Sequence, residues 1–286
     1  MIYGKLNGPS YVMPAMLLIA FMLIAPSIYG FVYSLYDIKY LKATDFIGLE
    51  NYYYLVTDPE FLAVVIRSMV FAAFAVTITI AFALAVALWI DQLRGLFALV
   101  VQIGIVLPWV VSQVVGALLF RWVFVNDIGL GIYFLELIGF AGVQPLATGT
   151  TAMAVLIVFA CWRTLGFAMV MLLAGLKSIP EELYEAAHVD GASAWQRFVY
   201  ITLPMLKTPI LIVLVMLTVS NLNNVEAPLI VTGGGPAEAT NIVSLDLYMR
   251  AFAKFDFNTA IALGIGMFAA NILLALAYVR LVKRDV

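Results

Sequence analysis

From Val64 to Ile90 the chain runs for twenty-seven positions with a single charged residue, Arg67. A helix of about twenty apolar residues crosses the roughly 30 Å hydrocarbon layer of a bilayer. Inside lipid the backbone must satisfy its own N–H and C=O groups, so a run of this kind folds as a helix. Five more runs follow the same rule: Tyr11 to about Ser34, Phe97 to Phe124, Ala152 to Leu176, Met205 to Glu226 and Thr259 to Leu281. The first is too long for a signal-peptide core and has no small-residue cleavage site after it. Composition agrees: 65% of residues are hydrophobic and 11% charged, against about 45–50% and about 25% in soluble domains. The reading is an all-α membrane protein with six transmembrane helices. A single cysteine, Cys161, excludes an internal disulfide framework and sits in an apolar run as a packing residue. Pro14, Pro26 and Pro108 fall within or near spans, where neighbouring helices can satisfy the freed backbone.

The connections are polar. Tyr36 to Phe61 is a loop with Asp37, Lys39, Lys42, Asp45, Glu50 and Asp58. Asp91 to Gly95 is a tight charged turn, and Asn126 to Thr151 holds a short semi-apolar helix between Ile128 and Phe140. The longest polar, helix-patterned stretch is Ser178 to Pro204, between the fourth and fifth spans. Ser178 with Glu181 has capping-box spacing, so a helix is predicted to start there. Pro180 falls in the first turn, and Glu181, Glu182 and Glu185 suit the positive end of the helix dipole. Gly191 is predicted to end this helix in a left-handed conformation. Ser193 with Gln196 repeats the box and starts a second short helix, and Pro204 either ends that helix or opens the next segment. The product is a helix–turn–helix too polar to span a bilayer. Left to itself, such a loop is an amphipathic element lying on a membrane surface.

Within it, Glu185-Ala186-Ala187, Gly191 three residues further on, and Ile201, Leu203 and Pro204 after nine intervening positions carry a spaced pattern. This pattern resembles the E-A-A-x-x-x-G-x(9)-I-x-L-P signature of the transmembrane permease subunits of binding-protein-dependent ABC importers. Phe46-Ile-Gly-Leu-Glu-Asn-Tyr52 also looks like this family, and Thr232-Gly-Gly-Gly-Pro236 looks like its sugar-importing branch. The resemblance implies one permease domain over residues 1–286. It implies that residues 178–204 form a cytoplasmic coupling loop that docks into a cleft on an ATPase. Glu185, Ala186, Ala187, Asp190, Gly191, Leu203 and Pro204 are then the coupling residues. The implied partners are a second, homologous permease subunit, two copies of an ATPase subunit, and an extracytoplasmic solute-binding protein. ATP and Mg would be held by the ATPase, with no cofactor bound by this chain. No nucleic acid is implied.

Loop charge gives an independent orientation. With six spans both termini share a side, which holds Lys5, Arg94, Lys177, Arg197, Lys207, Arg280, Lys283 and Arg284 in short segments. The other side holds Lys39, Lys42, Arg67, Arg121, Arg250 and Lys254 in longer loops. Positive residues favour the cytoplasm, so both termini and residues 178–204 are expected inside, in the cell (inner) membrane.

No phosphate-binding G-x-x-x-x-G-K-S/T loop occurs, so the chain is expected not to hydrolyse ATP itself. There is no zincin or nucleophile-elbow motif and no Cys/His metal spacing, and His188 stands alone. No metal site and no catalytic residue are expected. Polar residues at membrane depth remain. Arg163 lies inside the fourth span, where an unpaired arginine costs about 2.5–3.5 kcal/mol on insertion scales. It reads either as a solute-pathway residue or as a structural partner of Glu226 or of another subunit. Ser220, Asn221, Asn223, Asn224 and Glu226 cluster in the outer half of the fifth span. On a continuous helix, positions 220, 223 and 224 share a face with 221 adjacent. Their amides and hydroxyls suit a neutral polyol; the alternative is helix–helix hydrogen bonding. Gln113, after Pro108, is a further candidate for the same wall. Gly233, Gly234, Gly235 and Pro236 form either a simple turn or part of the surface that receives a loaded binding protein. The functional expectation is an ATP-driven importer of a sugar or sugar derivative. The alternatives are a non-sugar solute or an ion-coupled transporter working alone.

Overall fold

A computed structural model describes residues 8–40, 42–125, 129–140 and 142–283. Lys5, the Asn126–Ile128 start of the predicted outer connection, and Arg284 with the tail lie outside the described residues.

In chain order the elements are α1 (Gly8–Ile19), α2 (Ala25–Tyr33), the antiparallel strands β1 (Tyr36–Lys39) and β2 (Lys42–Phe46), α3 (Glu50–Thr57) and α4 (Pro59–Asp91). Then come α5 (Gly95–Val110), α6 (Gln113–Val123), α7 (Leu130–Leu137) and α8 (Gly149–Lys177). The last group is α9 (Glu181–Val189), α10 (Ala194–Arg197), α11 (Leu203–Met205), α12 (Lys207–Leu222), α13 (Val243–Tyr248) and α14 (Phe257–Lys283). Among the described residues four helices are long and apolar enough to cross a membrane: Tyr11–Tyr33, Pro59–Asp91, Gly149–Lys177 and Phe257–Tyr278. Two bent pairs bring the number to six if each is one span: Gly95–Val110 with Gln113–Val123, at 98°, and Ala194–Met205 with Lys207–Leu222, at 62°.

These bends correct two expectations. The third run is not one helix from Phe97 to Phe124. It breaks at Val111 and Ser112, both extended, just after Pro108, whose ring and missing N–H weaken the helix ladder. The fifth is not one helix from Met205 to Glu226. It bends at Leu206, and α12 stops at Leu222. Of the two readings of Pro204, the structure favours the second: it lies in the first turn of α11 and does not end the helical path before it. The turn Phe198–Thr202 is widened to π geometry, with the Leu203 N–H reaching the Phe198 carbonyl. That widening makes room for the proline ring, and the helix continues to Met205.

The chain divides into two compact units. One comprises the described residues up to 62 together with 247–272. Here Tyr36 pairs with Phe46 and Lys39 with Lys42 across the hairpin. The N–H groups of Ile47 and Gly48 both donate to the Leu35 carbonyl, and the Asn51 amide donates to the Ser34 carbonyl at 2.9 Å. The predicted loop Tyr36–Phe61 is therefore a built structure. Asn258 ties the hairpin to the start of α14: its amide donates to Asp37 at 2.9 Å, and its oxygen accepts the Ile38 N–H at 2.6 Å. Arg250 donates to Thr259 and pairs with Asp58 at 3.4 Å.

The other unit comprises the described residues within 63–246 and from 273 onward. Its centre is α8, where twelve of twenty-nine residues are buried. Leu172, Leu173 and Leu176 of α8 pack with Ala83, Ala87 and Ile90 of α4 and with Leu206, Val213 and Leu217. Without water to expel, helices in lipid associate through close packing at small residues. Gly166 is such a contact: a Cβ there would stand 2.5 Å from the Ile105 carbonyl oxygen. Gly175 is another, 2.7 Å from the Pro209 ring.

Candidate functional site

The loop between α8 and α12 is built from two capped helix ends. Ser178 does not form the predicted capping box with Glu181. It closes α8 instead, its hydroxyl donating to the Gly175 carbonyl at 2.7 Å, and the extended Pro180 occupies the N-cap of α9 rather than its first turn. Glu181 and Glu182 lie in the first turn of α9, where the dipole favours them. At the other end the prediction for Gly191 is met with φ of +77°. The Gly191 N–H donates to the His188 carbonyl and the Ala192 N–H to the Ala187 carbonyl, the paired bonds of a Schellman turn. Ser193 and Gln196 form the second capping box in full. The Tyr184 hydroxyl meets the buried Thr202 hydroxyl at 2.8 Å and fixes α9 against the helix that follows.

This arrangement leaves one face of the loop open. Glu185, Ala186, Asp190, Gly191 and Pro204 are exposed, and Ala187 is half-buried. Val189 is 88% exposed, Trp195 71% and Tyr200 76%. Large apolar groups presented this way beside alanines and a glycine form a surface suited to a partner protein. The sequence pattern missed these three residues, although an exposed tryptophan in a polar helix is itself a signal.

The second candidate region gathers around Asn224. Because α12 ends at Leu222, Asn223 and Asn224 lie past the helix and do not share a helical face with Ser220. Ser220 is exposed and Asn221 is buried, with its Nδ2 unpaired. The Asn224 oxygen accepts from Gln113 Nε2 and from the Ala227 N–H, and its carbonyl accepts the Ser244 hydroxyl at 2.7 Å. Gln113 also reaches Glu226 at 3.4 Å. Asn223 stays exposed and donates to the Val219 carbonyl at 2.7 Å. The structure thus brings Gln113, Asn224 and Glu226 together and sets Ser220 and Asn221 apart from them. Among the described residues, Arg163 makes no ion pair with Glu226. Its guanidinium donates to the carbonyls of Pro108, at 3.0 Å, and Trp109.

The glycine segment follows directly. Gly233 and Gly234 have φ of +64° and +83°, and the Gly235–Pro236 bond is cis. The Gly233 N–H donates to the Pro228 carbonyl, and Thr240 bonds both the Thr232 hydroxyl and the Gly235 carbonyl. Gly234 is buried, whereas Gly233 is exposed. Among the described residues no group of three His, Cys, Asp or Glu side chains could hold a metal ion.

Among the described residues, up to six apolar crossings, a capped and exposed polar loop, and amides beside a broken helix fit a membrane transport component. Residues 80–284 match the binding-protein-dependent transport system inner membrane component family, and the chain belongs to that family. It is 30% identical to the sulfoquinovosyl glycerol transport system permease protein SmoG of Agrobacterium fabrum, over 94% of this chain and 88% of that one. It is 29% identical to the trehalose/maltose transport system permease protein MalF of Thermococcus litoralis, over 96% and 92%. In fold it resembles the crystal structure of a bacterial ABC transporter involved in import of the acidic polysaccharide alginate, with a TM-score of 0.82 at 22% identity over 96% and 94%. The chain is an ABC importer permease subunit, a multi-pass inner-membrane protein and not an enzyme.

Proposed function

We propose that residues 178–204 transmit the work of a separate ATPase to this permease, and that the solute moved is a sugar or sugar derivative. The observation that carries the first part is the Schellman turn at Gly191, flanked by exposed Glu185 and Ala186 on one side and exposed Trp195 on the other. The turn fixes the angle between α9 and α10, so a push on the exposed face passes into Leu206 and α12 as a rigid movement. Alanines at 186 and 187 let a partner surface approach closely. In this reading both termini are cytoplasmic. ATP and Mg sit on two ATPase copies, a homologous permease completes the pathway, and a solute-binding protein delivers the cargo past Gly233 and Pro236.

The sugar assignment draws support from the substrates in the relatives' names and from the Gln113–Asn224 amide pair, which offers both donors and acceptors to hydroxyl groups. In the assembled importer, G191D should lower ATP-driven uptake and weaken ATPase attachment. Normal uptake by that variant would overturn the coupling role. Q113A, which removes one amide of the Gln113–Asn224 pair, should change the solute profile while complex assembly stays normal. An unchanged profile would return the amide region to a purely structural part.

A further inference from the structure

The break between α5 and α6 interrupts a run apolar enough to cross a membrane, and what holds it is specific. The last carbonyls of a helix have no intrahelical partner, and lipid offers none. Two of those at the end of α5, on Pro108 and Trp109, accept hydrogen bonds from Arg163 of α8. The same helix grips both sides of the break. Three residues along from Arg163, Gly166 lets the α5 backbone come against α8, and Phe167 packs on the Trp109 ring at 5.5 Å. One residue back, Trp162 lies over Gly116 of α6 at a distance that leaves room for a single added carbon, and with Phe159 it contacts Phe120. The first residue of α6 after the break is Gln113, the residue that bonds Asn224.

We infer that Arg163 is a positioning residue. By satisfying the open end of α5 it holds the bend at Val111–Ser112 and so aims Gln113 at Asn224. Its role is to cap a broken helix, not to bind solute. A cation at a helix C-terminus also opposes the negative end of the dipole, which makes arginine the suited donor here. The inference rests on the proposed reading of Gln113 and Asn224 as cavity residues only for its effect on transport. The geometry is tested separately.

The experiment uses the assembled importer in membranes, with C161A removing the native thiol. Q113C and N224C are joined by a short thiol-reactive bifunctional reagent, and the cross-link yield reports their separation. In the chain with native Gln113 and Asn224, uptake kinetics are measured alongside. Losing a charged hydrogen-bond donor costs enough that R163M should lower the cross-link yield about tenfold or more and raise the KM for uptake by a similar factor. R163K, which keeps a donor, should stay within about twofold of the parent. Should R163M not assemble, R163Q replaces it: its shorter amide cannot span both carbonyls, and an intermediate yield is expected. A parental yield in R163M or R163Q overturns the inference, and parental yield with lost uptake makes Arg163 a solute contact. A lowered yield in a chain that carries no sugar would keep the inference and remove the sugar assignment.

Discussion

Gly166 and Gly191 show two different reasons for the same side chain. At Gly191 space is open on every side, and only the backbone conformation excludes other residues. An L-residue there is strained by about 1–2 kcal/mol. Asparagine tolerates the left-handed region better than alanine. ATP-driven uptake should therefore rank Gly191 above G191N and G191N above G191A, with all three proteins equally abundant in the membrane. At Gly166 the backbone is ordinary and the space is full, since a Cβ would meet the Ile105 carbonyl oxygen and the Val106 Cα. G166A should destabilise the α5–α8 contact by about 1–3 kcal/mol, as overpacking does, and G166L should abolish recovery of folded protein. Thermal unfolding in detergent separates the two. Gly191 was legible from its place in a spaced pattern. Gly166 was not, because its neighbours lie some sixty positions back in the chain.

The same contrast holds for elements. The helices α4, α8 and α14 were legible because one rule, a sustained apolar run, sets both their existence and their length. The capping box at Ser193 was read correctly, whereas that at Ser178 was not, because the preceding helix had already claimed the serine hydroxyl. Breaks were harder. Pro108 was seen, but the 98° bend depends on donors from α8 that no local pattern shows. The amides at 223 and 224 were found, yet the end of α12 at Leu222 removed the shared face assigned to them.

Strands β1 and β2 were missed because their turn carries no glycine or asparagine signal and their register is held from the far end of the chain by Asn258. That link titrates. The Lys39 ammonium and then the Asn258 amide hold the Asp37 carboxyl below the usual carboxylate range. A depressed value means the ordering is present above the unfolded pKa, about 3.9, and fades as pH falls through the lower folded value. Hydrogen exchange at residues 36–46 should accordingly be flat from pH 8 to 5 and quicken, after correction for intrinsic rates, only below about pH 4. D37N should remove that acid step.

At the scale of the whole molecule, membrane residence and family were legible from apolar runs and one spaced signature; helices long and apolar enough to cross a membrane and the family match over residues 80–284 bear them out. The surface that carries Val189, Trp195 and Tyr200 was not legible, because their exposure appears only when α9 and α10 are folded. Coupling requires that surface to be in the cytosol and covered by the ATPase. The direct measurement is accessibility of W195C, in a C161A background, to a membrane-impermeant maleimide. The account predicts no labelling in intact cells with an opened outer layer, rapid labelling in inverted vesicles stripped of ATPase, and protection once the ATPase is added back. Labelling from the outside, or labelling from the inside that the ATPase leaves unchanged, would contradict it.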